Sequence, residues 1–318
     1  MTESYFDILK RHGVKLSLAM LLGNLLHTAL LYAAIIVYVI LALILSLIFT
    51  MDVSALGTDS DQFAENLASE PGGVILGVIL ALLLIPVIQL PNSFFTAGSY
   101  GAASASVFRG EWSFGYFFSA GFKNLWRMFG QQVLLALIFI GPILLLILIS
   151  GPLVADEEGS EALLAIFAFL FIILAFALLI GYLWVSLHAP LILLVERTGV
   201  WESIRLAFRL TLKKPGQTLL SGLIALGILM GAYLAAILIA VILILLPTAI
   251  TGSEIVGAIF GLFGGLIVLF AIFYAFAASL LIIVHRYKTR LRNELFPEEM
   301  NWEGVPGGAT PGYVPHKP

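Results

Sequence analysis

Charged residues are absent from six long apolar runs: Leu16–Met51, Pro71–Phe108, Met128–Ala155, Ala162–Val195, Pro215–Ser253 and Ile255–His285. Each run exceeds the roughly 20 apolar residues that a helix needs to cross about 30 Å of hydrocarbon. The pattern predicts an all-α, polytopic membrane bundle of six transmembrane helices. Its spans are expected near 20–50, 73–100, 129–153, 162–194, 217–247 and 255–284. Together they make residues 1–292 a six-span membrane domain, and the Pro-, Gly- and Glu-rich segment 293–318 reads as a disordered cytoplasmic tail.

The gaps between runs alternate in sign. Lys10, Arg11 and Lys15 precede the first run, and Asp52, Asp59, Asp61, Glu65 and Glu70 follow it. Arg109, Lys123 and Arg127 come next, then Asp156, Glu157, Glu158 and Glu161. Arg197, Arg205, Arg209, Lys213 and Lys214 precede a lone Glu254, and Arg286, Lys288, Arg290 and Arg292 close the series. Because basic loops are retained in the cytoplasm, both termini are expected there. The first run is too long for the apolar core of a signal peptide and has no small-residue cleavage site, so it reads as a retained span.

Two basic loops carry helical periodicity, which predicts short amphipathic helices in the cytoplasmic interface. In Trp201–Lys214, Trp201, Ile204, Phe208 and Thr211 or Leu212 form an apolar stripe, while Glu202, Arg205, Arg209 and Lys213 form a polar one. In Trp112–Arg127, Phe114, Phe117, Phe118, Phe122 and Trp126 stand against Lys123 and Arg127. Lys123, Arg127, Arg205, Arg209 and Lys213 are thus candidate contacts for lipid headgroups, the plainer alternative being helices that merely seat the domain. The two segments also match at an offset of 86: Phe122 with Phe208, Lys123 with Arg209, Arg127 with Lys213, Gly130 with Gly216 and Gln131 with Gln217. Hairpin repeats related by an axis along the membrane normal are the expected consequence.

Composition narrows the chemistry. Mean hydropathy is +1.07, and about 200 of the 318 residues lie in the six runs, which leaves no stretch for a separate soluble domain. With zero cysteines there is no disulfide, thiolate metal site or Cys nucleophile. Proton relays and intramembrane metal sites use ionisable residues inside spans, and these runs hold no Asp, Glu, Lys or Arg. No catalytic, cofactor-binding or metal-ligating residue is therefore assigned, and no cofactor is implied. The basic side needs no nucleic acid to explain it, because anionic lipid suffices.

Polar residues inside the runs are neutral. Asn24 and His27 lie three apart, on one helix face. Gln89 and Asn92 flank Pro91, five residues after Pro86, where the loss of backbone donors predicts a kinked or interrupted span. Gln89, Asn92, Asn24 and His27 form the candidate polar cavity, set against ordinary interhelical hydrogen bonding. His188 near Pro190, and the glycines Gly257, Gly261, Gly264 and Gly265, read as packing features.

The stretch Ser186–Gln217 resembles the membrane domain associated with glycerophosphoryl diester phosphodiesterases and its uncharacterised six-span prokaryotic relatives. Pro190, Glu196, Gly199, Arg205, Phe208 and Thr211 stand at the matching places. Gly101–Gly130, with Arg109-Gly110 and Gly121-Phe122-Lys123, looks like the equivalent loop in related families. The resemblance implies a multi-pass protein of a prokaryotic plasma membrane. Phosphodiesterase chemistry in such enzymes belongs to a separate barrel domain, so no catalytic residue carries over. Three functional classes stay open: a non-catalytic module binding lipid or a membrane partner in envelope or lipid homeostasis, a transporter or flippase for an amphipathic substrate, and an intramembrane lipid-modifying enzyme. The partners to expect are membrane lipids, a protein partner or a second copy.

Overall fold

A computed structural model describes residues 4–48, 71–139, 141–143 and 161–296. Helices run α1 Tyr5–Ile48, α2 Pro71–Phe108, α3 Phe114–Lys123, α4 Leu125–Phe139, α5 Glu161–Val195, α6 Val200–Lys213 and α7 Pro215–Ala240. A π-turn, Val241–Leu245, joins α7 to α8 Leu246–Thr251. Then follow α9 Glu254–Arg286, a second π-turn Tyr287–Leu291, and α10 Arg292–Leu295. Six helical stretches are long and apolar enough to cross a membrane, and no strand occurs among the described residues. The fold is an all-α polytopic bundle.

α1 lies antiparallel to α2, with contacts stepping from Lys15 over the Trp112 ring, through His27 and Asn92, to the Tyr38 hydroxyl at the Leu80 carbonyl. α9 packs on both α1 and α7, α2 on α3 and α4, and α5 on α6.

Packing is uneven along the membrane normal. Where burial is described, no residue is buried in 28–45 of α1, 82–90 of α2 or 168–184 of α5. Only Ala236 is buried in 226–243, and only Gly264 in 254–272. The buried residues gather instead at the basic ends, where small side chains let helices approach closely. A Cβ on Gly23 would lie 2.2 Å from the Phe117 ring, one on Gly98 2.9 Å from it, and one on Gly101 2.3 Å from the Ala120 Cβ. Among the described residues of the acidic half, the Leu, Ile and Val side chains are largely exposed.

Polar clamps tie the basic ends together. The Arg292 guanidinium donates to both Glu196 carboxylate oxygens, at 2.9 and 3.1 Å, and Tyr287 adds its hydroxyl at 3.1 Å. Lys288 donates to the Val107 carbonyl at 2.7 Å, satisfying the open end of α2, and Arg286 donates to Ser221 at 2.9 Å. Lys214 pairs with Glu294 at 3.0 Å.

Several expectations change. α1 begins at Tyr5, so Lys10, Arg11 and Lys15 belong to the helix that makes the first span. The bundle extends past 292, because Leu295 is buried and Phe296 packs on the core. Of the expected tail, 297–318 lies outside the described residues, as do most of the first two acidic loops and residues 144–153 of the third expected span.

α2 stays helical through Pro86 and Pro91. The expected interruption is absent because each proline costs one backbone bond, while packing around the buried Pro91 holds the helix.

Both short helices dock against the spans. α3 docks on α1 and α2, with Phe117 fully buried and Phe122 against Phe94 at 4.8 Å. α6 follows α4: Ser203 meets Gln131 at 2.6 Å, and Phe208 stacks on Phe139 with ring centroids 5.5 Å apart. Gln131 and Phe139 are about 12 Å apart along α4 by helical rise. Ser203, Ile204, Leu206, Ala207 and Leu210 form the buried face of α6, whereas Trp201 and Leu212 of the expected apolar stripe are exposed.

The repeat shows in the helix starts. Ser113 and Gly199, 86 apart, are both extended N-caps. Each follows a residue of positive φ, Gly110 at 67° and Arg197 at 52°. The matched glutamines differ in role. Gln131 is fully buried and bridges to the Ala189 carbonyl and Ser203, while the Gln217 carbonyl receives Arg286.

A neutral polar row between the first two spans

His27 on α1 and Asn92 on α2 meet across the helix interface, with His27 Nε2 2.9 Å from Asn92 Oδ1. An amide oxygen only accepts, so Nε2 carries the proton in this contact. Phe95 packs beside the imidazole, ring centroids 5.9 Å apart. One turn away on the same helix faces stand Asn24 and Gln89. Antiparallel packing puts them on opposite sides of the His27–Asn92 contact, so the four side chains form a row. By helical rise it runs about 9 Å along the interface. All four are half-buried. The Asn24 and Gln89 side chains make no hydrogen bond among the described residues.

The other flank of α2 continues the polarity. The Ser93 hydroxyl lies 2.6 Å from the Gln89 carbonyl and 2.8 Å from Gln132 Oε1, and Gln132 Nε2 donates to the Thr96 hydroxyl at 3.1 Å. Ser93 and Thr96 escaped the sequence reading because small hydroxyls in spans commonly bond their own helix backbone. Their spacing of three beside Asn92 was the available signal. No Asp, Glu, Lys or Arg belongs to this network.

The row stands where packing changes. On the basic side the interface closes over Gly23, Ser93 and Phe94, all buried. On the acidic side Leu30, Ile85 and Ile88 are exposed.

The five candidate headgroup residues divide. Arg127 donates to the Thr198 carbonyl, which fixes the loop before α6, and Arg205 pairs with Glu202 at 2.8 Å. Lys123, Arg209 and Lys213 are exposed and hold no ion pair among the described residues. Trp126 and Trp201 stand exposed near them. His188 is fully buried, with its Nδ1 3.5 Å from the Trp184 carbonyl of the preceding turn, and it does not join the row. No group of three His, Asp or Glu with metal-binding geometry occurs among the described residues.

No family model matches the chain, and neither a curated protein nor a solved structure matches it. Fold and hydropathy define its class: it is a multi-pass α-helical membrane protein.

Proposed function

We propose that this chain is a non-catalytic integral membrane protein that binds lipid in envelope or lipid homeostasis, with the Asn24–His27–Asn92–Gln89 row receiving the polar part of its ligand. The observation that carries the reading is the position of that row. It is half-buried and holds no Asp, Glu, Lys or Arg, and it lies between a closely packed basic half and an acidic half whose described side chains are exposed. Amides with unused donors and acceptors inside hydrocarbon are costly unless something pairs with them. A lipid that enters beside Leu25 and Ile88 supplies both the pairing and the apolar contact. The resemblance of Ser186–Gln217 to the phosphodiesterase-associated membrane domain agrees with a lipid-linked role.

The same asymmetry favours a second reading, a flippase or transporter for an amphipathic substrate, with the outer half open and the inner half closed. The basic residues support an orientation with both termini in the cytoplasm, and the resemblance implies a prokaryotic plasma membrane. A cysteine placed at Ser60 should react with an impermeant thiol reagent on intact cells, and one at Ser113 should not.

Native mass spectrometry of the full chain, extracted with its lipids, tests the binding. The wild type should carry a defined lipid, and the Gln89→Leu/Asn92→Leu variant should lose it while remaining folded and monodisperse. Full retention by that variant contradicts the site. A bound lipid on the wild type without any lipid flux in vesicles favours binding over transport.

A further inference from the structure

Hydrogen-bonding inventory and distance from charge narrow the ligand of this row, an inference that rests on the lipid-binding reading above. We infer that the row selects an uncharged glycerolipid with a free hydroxyl, diacylglycerol in chemical type, over any phosphate-bearing lipid.

Charge stands against a phosphate at the row. Lys15 is the nearest cation in sequence to Asn24, nine residues away, about 14 Å along α1 by helical rise. Its ammonium lies over the Trp112 ring at 5.9 Å. From Asn92 the next cation along α2 is Arg109, 17 residues on, or about 25 Å. On α1 and α2 a phosphate at the row would find amides and one imidazole, with no Lys or Arg within about 14 Å along either helix. Such groups do not offset the desolvation of a full charge.

The count of donors and acceptors favours an alcohol. Each of the Asn24 and Gln89 amides brings one NH2 and one carbonyl that have no hydrogen-bond partner among the described residues. An alcohol both donates and accepts, so it pairs with either end of an amide. A ligand with carbonyls alone leaves the amide oxygens unpaired. Diacylglycerol carries one hydroxyl donor for an amide oxygen and two ester carbonyls for the amide NH2 groups. Its acyl chains then lie along the exposed Leu30 and Ile85 side chains. The row length of about 9 Å fits a glycerol backbone with its two ester groups.

The test is a native mass spectrometric titration of delipidated full-length protein with three lipids of identical acyl chains. These are diacylglycerol, the matching phosphatidate, and diacylglycerol whose hydroxyl is capped as a methyl ether. Diacylglycerol should bind at least about tenfold more tightly than either analogue, the difference of roughly one hydrogen bond or more. Asn24→Leu and Gln89→Leu should each narrow that preference without changing the melting temperature, and the wild-type series alone already decides the question. Phosphatidate binding as tightly as diacylglycerol overturns the selectivity and leaves the lipid-binding reading standing. Equal binding of the methyl ether overturns the role of the hydroxyl. Binding of none of the three overturns this inference, and only the absence of any co-extracted lipid on the native protein removes the reading beneath it.

Discussion

Phe117 fills the space that a side chain at Gly23 would occupy: a Cβ built there would lie 2.2 Å from the ring. The knob comes from α3 and the hole from α1, with Gly98 of α2 lining the other side at 2.9 Å. This contact closes the basic half of the bundle directly beneath Asn24 and His27. It therefore sets the depth at which the polar row stands.

Gly23→Ala should destabilise the folded protein by about 1–3 kcal/mol, the usual range for overpacking a fitted core. In a Phe117→Leu background, which frees the ring's volume, the same change should cost less than about 1 kcal/mol. Thermal melting of the four proteins in one detergent checks the cycle. Additive costs would show that Phe117 does not occupy this hole.

The Glu196 carboxylate holds Arg292 through two hydrogen bonds and Tyr287 through a third, and its side chain is only 7% exposed. Glu196→Gln keeps the shape and removes the charge, leaving Arg292 with one amide oxygen. A loss of about 1.5–3 kcal/mol is expected, the range for a hydrogen bond to a charged group. The C-terminal turns should become the first segment cut by protease. An unchanged melting temperature and cleavage pattern would contradict the clamp.

Spin labels on α6 separate a docked helix from one floating at the interface. Labels at Ile204 and Ala207 should be immobilised and shielded from both oxygen and water-soluble relaxants, since the native side chains are buried. Labels at Trp201, Arg209 and Leu212 should be mobile. Lipid-like accessibility at 204 equal to that at 201 would restore the flat interfacial arrangement that the periodicity alone suggests.

The six spans were legible because charge is excluded from hydrocarbon, and charge is read directly from composition. The members of the polar row were legible one by one for the same reason, since Asn24, His27, Gln89 and Asn92 stand out in apolar runs. That His27 meets Asn92 was not, because the register between α1 and α2 depends on fits such as Phe117 in Gly23, which involve three separate helices. Of the kinked or interrupted span expected at Pro86 and Pro91, the interruption does not occur, because a local rule about proline takes no account of the packing around α2. On α6 the period was legible and the buried face was not. Trp201 and Ile204 are both apolar, and Ser203 is buried only because Gln131, 72 residues earlier, donates to it at 2.6 Å. Glu196 was recognisable as an acid in a motif, but its partner Arg292 lies 96 residues away and no local pattern joins them.

The central claim, that the neutral row receives a lipid, is tested most directly by a cryo-electron microscopy structure of the full chain in lipid nanodiscs. An ordered, elongated density is expected along Leu30 and Ile85. Its polar end should lie within hydrogen-bond distance of the Asn24 or Gln89 amide, and the His27–Asn92 contact should be intact. A map in which Asn24 and Gln89 pair only with protein groups, with no lipid-shaped density ending at the row, would contradict it.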